Sequence, residues 1–248
     1  MPSRIAFSTL AFPDATLAAA VSAGRRWGYS GVELRLIDGE LIDPAMPAAR
    51  RAQVRRTLAA GGLPVVAVDS SIRLTGDNPG PDLRRFLQLA SDWEAPLVRV
   101  FGGALDPPPA RRDQIRAAAR VLEEAVPLAA RLGVAIGVET HDAFSASSAV
   151  AELLALLSED GVPSDLVGAV WDSHHPHRMG ETPAAPRTGN GSWSCSAPAR
   201  CRSGTCSACW RPGATRTGSR WNGRSDGTRR SRRPRWPFPS TWTCWPRG

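Results

Sequence analysis

The sequence predicts an α/β fold of the (β/α)8 TIM-barrel type, in which six βα units are recognisable. Short apolar runs alternate with longer segments of helical character at a spacing of about 30 residues. The apolar runs are nearly continuous, which is typical of parallel strands that are covered on both faces. Polar side chains gather at the carboxyl ends of several runs, where barrels carry their functional sites.

Each predicted element rests on a local signal. Runs of apolar, mostly β-branched residues predict strands at residues 5–12, 31–36, 64–69, 96–101, 134–139 and 166–172. Helical spacing of apolar residues predicts the intervening helices at residues 15–27, 47–60, 81–93, 111–132 and 147–157. Gly28, Gly61 and Gly133 follow three of these helices and are typical helix stops.

The strand ends favour a closed barrel over an open dinucleotide-binding sheet. No Gly-rich phosphate loop follows the first strand, because the residues there read STLAFP. Polar residues stand instead at the ends of several strands, and a constellation drawn from many strand ends is the barrel pattern. These residues are Ser8, Glu33, Arg35, Asp69, Arg99, Glu139, His141, Asp172 and His175.

Charge and hydropathy exclude several classes of protein. Residues 1–185 carry 18 Arg and 22 acidic residues, so this part is mildly acidic and we expect no nucleic-acid partner. No run of about 20 apolar residues is present, so we expect no membrane span. The first residues lack a charged start followed by a long apolar run, so we expect no signal peptide and a cytoplasmic location.

Histidines and carboxylates cluster beyond the last two predicted strands. The four histidines of the chain are His141, His174, His175 and His177. Strand alternation places Glu139 and His141 on one side, with Asp172 one strand away. Such oxygen and nitrogen ligands suit a divalent cation. The alternative interpretation is that the two carboxylates are buried and pair with Arg99 or Arg35.

Four short motifs carry a family resemblance. The segments GVELR, VRVFGG, GVETHD and VWDSHH begin at Gly31, Val98, Gly137 and Val170. In order and spacing they resemble the sugar phosphate isomerase/epimerase family, the xylose isomerase-like TIM barrels, over residues 1–185. The resemblance implies a divalent metal (Mn²⁺, Mg²⁺, Co²⁺ or Zn²⁺) held by a Glu, an Asp, a His and a Glu on strands five to eight.

The resemblance also assigns roles to individual residues. Glu139 and Asp172 match the first two metal ligands, and Glu139 would also act as an acid–base. His175 matches a catalytic residue that contacts substrate, and His141 and Arg99 are further candidates for substrate binding. The implied reaction is proton transfer next to the carbonyl of a sugar or polyol, through an enediolate.

Three alternatives accompany this activity. A polyol dehydratase on the same barrel would use similar groups. An endonuclease-IV-like nuclease needs His ligands on early strands, and strands one to four contain none. The third alternative is a catalytically inactive, incomplete barrel.

Residues 186–248 have a different composition from the rest of the chain. They contain no Leu, Ile, Val, Glu or His, but hold all 5 Cys, 6 of the 9 Trp and 13 of the 31 Arg. No run there predicts strand seven or strand eight. A zinc site at Cys206 and Cys209 with Cys195 and Cys201 upstream, or an RNA-binding arm at residues 229–235, would be functional interpretations.

A translation frame error explains this composition more economically. Shifting the reading frame forces a Glu codon across Trp221 and Asn222, and a Leu codon across Cys244 and Trp245. We therefore predict that a deletion near residues 185–190 removed about one βα unit and shifted the frame. The chain would then lack the His and Glu ligands of strands seven and eight, so we expect weak metal binding and weak or no activity.

Overall fold

The computed structural model describes residues 5–181, and their main sheet has the order of a TIM barrel. Six parallel strands are hydrogen-bonded in chain order: β1 (Ala6–Ser8), β2 (Gly31–Leu34), β3 (Val65–Arg73), β4 (Leu97–Phe101), β5 (Ala135–Glu139) and β6 (Val167–Val170). The helices are α1 (Leu17–Arg26), α2 (Ala48–Gly61), α3 (Pro79–Asp92), α4 (Ala110–Leu132), α5 (Ser147–Glu159) and the short α6 (His174–Arg178). The predicted fold class is confirmed, and the predictions for residues 186–248 lie outside the described residues.

The first two strands end earlier than the sequence predicts. The Ser8 hydroxyl accepts a hydrogen bond from the N–H two residues on, which begins a 3-10 turn at Thr9–Ala11. The Thr9 hydroxyl then accepts hydrogen bonds from the N–H groups of Arg35 and Leu36, at 2.9 and 2.8 Å. These hydrogen bonds turn the chain away from the sheet after β2. A short antiparallel hairpin follows, with strands Leu36–Ile37 and Glu40–Leu41.

The two faces of the sheet differ in chemistry. On the outer face, Val68, Val98 and Ile136 are fully buried and belong to one apolar core with buried side chains of the helices. Burial of each such side chain contributes about 1.5–3 kcal/mol. On the inner face, Ala67, Leu97 and Val170 form a small apolar floor. Polar side chains occupy the same face closer to the carboxyl edge, so the polar residues lie next to this apolar layer.

None of the helices in residues 5–181 combines the length and the apolar character that crossing a bilayer would need.

Candidate functional site

Strand register brings the predicted site residues to one edge of the sheet. Arg99 on β4 pairs with Asp69 on β3, and Phe101 pairs with Glu139 at the end of β5. Because paired residues in parallel strands point to the same side, these side chains share the inner face. Asp172 follows β6 by two residues and is buried there. The carboxyl edges of β3 to β6 therefore form one site.

Arg99 is the centre of this site and is almost fully buried. Its Nη2 lies 3.2 Å from Oδ2 of Asp69, and its Nε lies 2.9 Å from Oε2 of Glu139. Its Nη1 donates a hydrogen bond of 3.0 Å to the carbonyl of Ser70, and its Cζ lies 4.1 Å from the ring centroid of Phe101. Burial lowers the pKa of Arg99, but the surrounding carboxylates outweigh burial and raise it above its usual value.

The carboxyl of Glu139 has a pKa close to neutral pH. Burial raises the pKa of this carboxyl to about 7; the charge of Arg99 opposes the rise, while Asp69 and Asp172 add to it. The contact between Arg99 Nε and Glu139 Oε2 lacks the angle of a hydrogen bond, so it stabilises the carboxylate only by charge. Glu139 can therefore both release and accept a proton near pH 7.

Asp172 is fixed by the residue that follows Glu139. The Thr140 hydroxyl accepts a 2.8 Å hydrogen bond from the backbone N–H of Asp172 and donates a 3.3 Å bond to its carbonyl. The carboxylate of Asp172 accepts a 2.7 Å bond from the N–H of His174, where α6 begins. This reciprocal link joins the ends of β5 and β6 and sets the position of both acids.

Substitution Thr140→Val is expected to lower the free energy of unfolding by about 1–3 kcal/mol, because it leaves the buried N–H of Asp172 without an acceptor. Urea denaturation measures the change. Thr57→Val is the matched control, since the Thr57 hydroxyl only donates to the Gln53 carbonyl on the exposed side of α2. Equal losses in the two variants would contradict the role assigned to Thr140.

Two of the four histidines contact each other edge-to-face beside the carboxylates. The ring centroids of His141 and His175 are 4.3 Å apart, and the His141 ring lies 4.5 Å from that of Phe101. Nε2 of His175 is 3.8 Å from Oδ2 of Asp172. Burial, followed by the proximity of His141, lowers the pKa of His175, while Asp172 opposes the shift. His175 is therefore favoured in its neutral form, which can either donate or accept a hydrogen bond.

The remaining two histidines take a smaller part in the site. His174 and His177 are exposed on α6, and the His174 ring contacts that of His175 at 5.3 Å.

At the rim, the ion pair between Arg73 Nε and Asp142 Oδ2, at 3.1 Å, joins the ends of β3 and β5. Sequence reasoning missed this pair and Thr140. The one sequence feature that points to Thr140 is its position between Glu139 and His141, where strand alternation directs its side chain to the opposite face.

The described residues do not fit a resident divalent ion. No group of three or more His, Cys, Asp or Glu side chains within residues 5–181 is arranged to hold a metal ion. Glu139 instead lies against the guanidinium of Arg99, as the alternative interpretation of the sequence predicts. Residues 182–248 add no His and no Glu, and Asp226 is their single acid. Within the described residues, Glu139 and Asp172 are the two matches to the four-ligand site that the motifs imply.

Comparison with known families identifies the chain. A family model described as the xylose isomerase-like TIM barrel matches residues 21–192. The chain belongs to this family. A comparison with the curated proteins finds no match. The resemblance inferred from the four motifs is thereby confirmed for the xylose isomerase-like barrel, whose parallel strand order the described residues share.

Solved structures of xylose isomerase-like barrels resemble the described fold. One is 3-keto-D-glucoside 4-epimerase from E. coli, with 13% identity, a TM-score of 0.59 and coverage of 73% of this chain and 72% of that one. Another is the probable 3-DHS dehydratase involved in petrobactin synthesis in Bacillus anthracis, with 16% identity, a TM-score of 0.54 and coverage of 71% and 65%. At these identities the likeness shows the fold alone.

Metal ions occur in other structures of the same fold. The IOLI protein, solved with a bound zinc atom, has 14% identity, a TM-score of 0.57 and coverage of 73% of this chain and 66% of that one. A xylose isomerase-like barrel from Mycobacterium smegmatis was solved in complex with magnesium, with 17% identity, a TM-score of 0.50 and coverage of 68% and 66%. Divalent ions are thus found in the family, whereas the donors described in this chain do not fit one.

Proposed function

We propose that the carboxyl edge of the sheet is a sugar isomerase or epimerase site, in which Glu139 moves a proton next to a carbonyl group. The observation that carries the proposal is the buried carboxyl of Glu139, with its pKa raised to about 7 at the end of a barrel strand. An acid–base whose pKa is close to the working pH is the most efficient in proton transfer. Perturbed pKa values of this kind cluster at functional sites.

The proton transfer needs no oxidant or reductant. The Glu139 carboxylate takes the proton from the carbon next to the substrate carbonyl, the electron pair of that C–H bond forms a C=C bond, and the π pair of the carbonyl moves onto its oxygen. Return of a proton to the opposite face gives an epimer, and return to the neighbouring carbon gives an isomer. Neutral His175, beside Asp172, hydrogen-bonds a substrate oxygen, and His141 extends this surface.

A polyol dehydratase is the second candidate, and the pair of imidazoles beside Asp172 favours it. Removal of the same proton can be followed by loss of a neighbouring hydroxyl group, which needs an acid to protonate the leaving oxygen. Glu139, which then carries the abstracted proton, can supply it, and the N–H groups of His141 and His175, with ring centroids 4.3 Å apart, can hydrogen-bond that oxygen. The fold likeness to a probable dehydratase agrees with this possibility.

The missing metal donors limit the activity that we expect from this chain. In proton transfer next to a carbonyl, a divalent ion supplies charge that stabilises the developing oxyanion. With donors for half of a family site, the chain is expected to turn over weakly or not at all. A catalytically inactive barrel is the alternative to this proposal.

Deuterium exchange tests the proposal without requiring net turnover. The full chain is incubated in D2O with D-fructose or D-psicose, with millimolar Mn²⁺ or with a chelator, and exchange next to the carbonyl is followed by NMR. Wild type is expected to show slow exchange, and Glu139→Gln is expected to lower it by about 10²-fold or more. Glu159→Gln, at the exposed end of α5, is the control and should leave exchange unchanged.

Three results separate the alternatives. Equal exchange in wild type and Glu139→Gln would contradict the role of Glu139. Absence of exchange in wild type with every substrate would replace the proposal by the inactive barrel. Formation of a conjugated enone, detected by its ultraviolet absorption with a cyclic keto-polyol as substrate, would favour the dehydratase.

A further inference from the structure

We propose that Arg99 is the built-in counter-cation of the buried acids at the carboxyl edge, and that it takes the place of a divalent ion in their charge balance. These acids, here called the acidic cluster, are Glu33, Asp69 and Glu139. All three are at most 4% exposed. Buried carboxylates are strongly destabilising unless a cation compensates them.

The guanidinium of Arg99 is placed to compensate the cluster. It contacts Asp69 at 3.2 Å and Glu139 at 2.9 Å, and the charge of Glu33 also acts on it. The carbonyl of Ser70 and the face of Phe101 take up the rest of its contacts. Asp69 and Ser70 lie on β3, Glu139 on β5 and Phe101 on the same strand as Arg99, so the position of Arg99 is set by the fold.

A divalent ion at Glu139 would compete with this arrangement. It would have to displace the guanidinium from Oε2 of Glu139 or stand beside its positive charge in a poorly solvated site, where charge repulsion is strong. The ion would gain few donors in exchange, because residues 5–181 offer no group of three and residues 182–248 contain neither His nor Glu. The guanidinium is therefore favoured over the ion.

The experiment compares the thermal stability and Mn²⁺ binding of the full chain with those of three variants. Arg99→Met removes the charge but can still pack on Phe101, and Arg99→Lys keeps the charge. Arg73→Met is the matched control, because Arg73 also contacts the ring of Phe101 and pairs with an acid, but is exposed at the rim. Free Mn²⁺ is measured by electron paramagnetic resonance, and unfolding by circular dichroism.

Wild type, Arg99→Lys and Arg73→Met are expected to keep their melting temperatures whether EDTA or millimolar Mn²⁺ is present. Arg99→Met is expected to melt at least about 5 °C lower in EDTA and to recover part of this loss in Mn²⁺, because the uncompensated acids then bind the ion. If Arg99→Met does not fold in EDTA while Arg99→Lys does, the need for a positive charge at this position is likewise supported.

Three results would overturn the inference. The first is stoichiometric Mn²⁺ binding by wild type at micromolar concentration, with a rise in melting temperature. The second is an Arg99→Met variant as stable as wild type in EDTA. The third is a destabilised Arg99→Met variant that Mn²⁺ neither binds nor stabilises. None of these readouts depends on turnover, so they do not depend on whether the proposed proton transfer occurs.

Discussion

The free energy of unfolding is expected to fall by about 3 kcal/mol between pH 4.5 and pH values above 7, through the ionisation of Glu139 alone. Burial raises the pKa of this carboxyl from 4.5 to about 7 in the folded chain. Each unit of pKa difference between folded and unfolded chains is worth about 1.4 kcal/mol. The stability from Glu139 is thus fully present below pH 4.5, where the group is protonated in both states, and is lost as the pH rises through 7.

The difference between wild type and Glu139→Gln isolates this contribution. The variant is expected to match wild type near pH 4.5 and to be more stable by about 3 kcal/mol at pH 8. Urea denaturation at intervals of pH measures both proteins. The lowered pKa of His175 acts in the opposite direction, since its contribution is lost as the pH falls, but it is common to both proteins and cancels.

Glu159→Gln is the control for the loss of one negative charge, because Glu159 is exposed at the end of α5. A stability difference for Glu139→Gln that stays constant from pH 5 to pH 8 would contradict the raised pKa. It would also remove the observation on which the proposed proton transfer rests. The stability measurement and the exchange measurement therefore test the same carboxyl in independent ways.

The strand order could be predicted because it depends on a pattern that repeats along the chain. Six apolar runs separated by helices of suitable length allow few parallel topologies, and the structure has the predicted one. The ends of β1 and β2 could not be predicted, because they depend on side-chain capping. The hydroxyls of Ser8 and Thr9 divert the backbone where the apolar pattern alone continues a strand.

The location of the site was predictable, whereas the sequence left its internal pairing open between a metal ion and an arginine. Parallel register necessarily brings Glu139, Asp172 and Arg99 to one face near the carboxyl edge. Whether Glu139 binds a metal ion or pairs with Arg99 depends on side-chain conformations and on competing donors from distant elements. A hydrophobic pattern carries no information about these features. The reciprocal hydrogen bonds of Thr140 likewise depend on the distance between two strand ends.

The acid–base and its environment are separable parts of the site. Burial raises the pKa of Glu139, at the end of β5. Asp69 on β3 and Asp172, two residues after β6, raise it further. One structure of the same fold contains a bound zinc atom. Among residues 5–181, the buried cation in contact with Glu139 is Arg99, which is also engaged by Asp69. The guanidinium is therefore not free to stabilise the oxyanion that the proposed proton transfer would form.

Substitution Phe144→Ala is expected to lower the free energy of unfolding by about 3–5 kcal/mol and to loosen the segment that carries His141. Phe144 is fully buried, and its ring lies so close to Gly102 that a Cβ built there would be 2.0 Å from it. Its N–H also donates a 2.8 Å hydrogen bond to the carbonyl of His141. The ring therefore fixes the turn after β5 against the end of β4.

Loss of this ring should be visible in the site as well as in the stability. Urea denaturation measures the stability, and NMR of the imidazole protons reports whether the contact between His141 and His175 persists. Phe12→Ala is the control, since Phe12 is a half-buried aromatic that packs on Phe7 and Trp27 after β1, at the other end of the strand order. It should cost less stability and leave the imidazole signals unchanged. If Phe144→Ala lowers stability without altering those signals, the position of His141 is set by its ring contacts with Phe101 and His175 rather than by the turn.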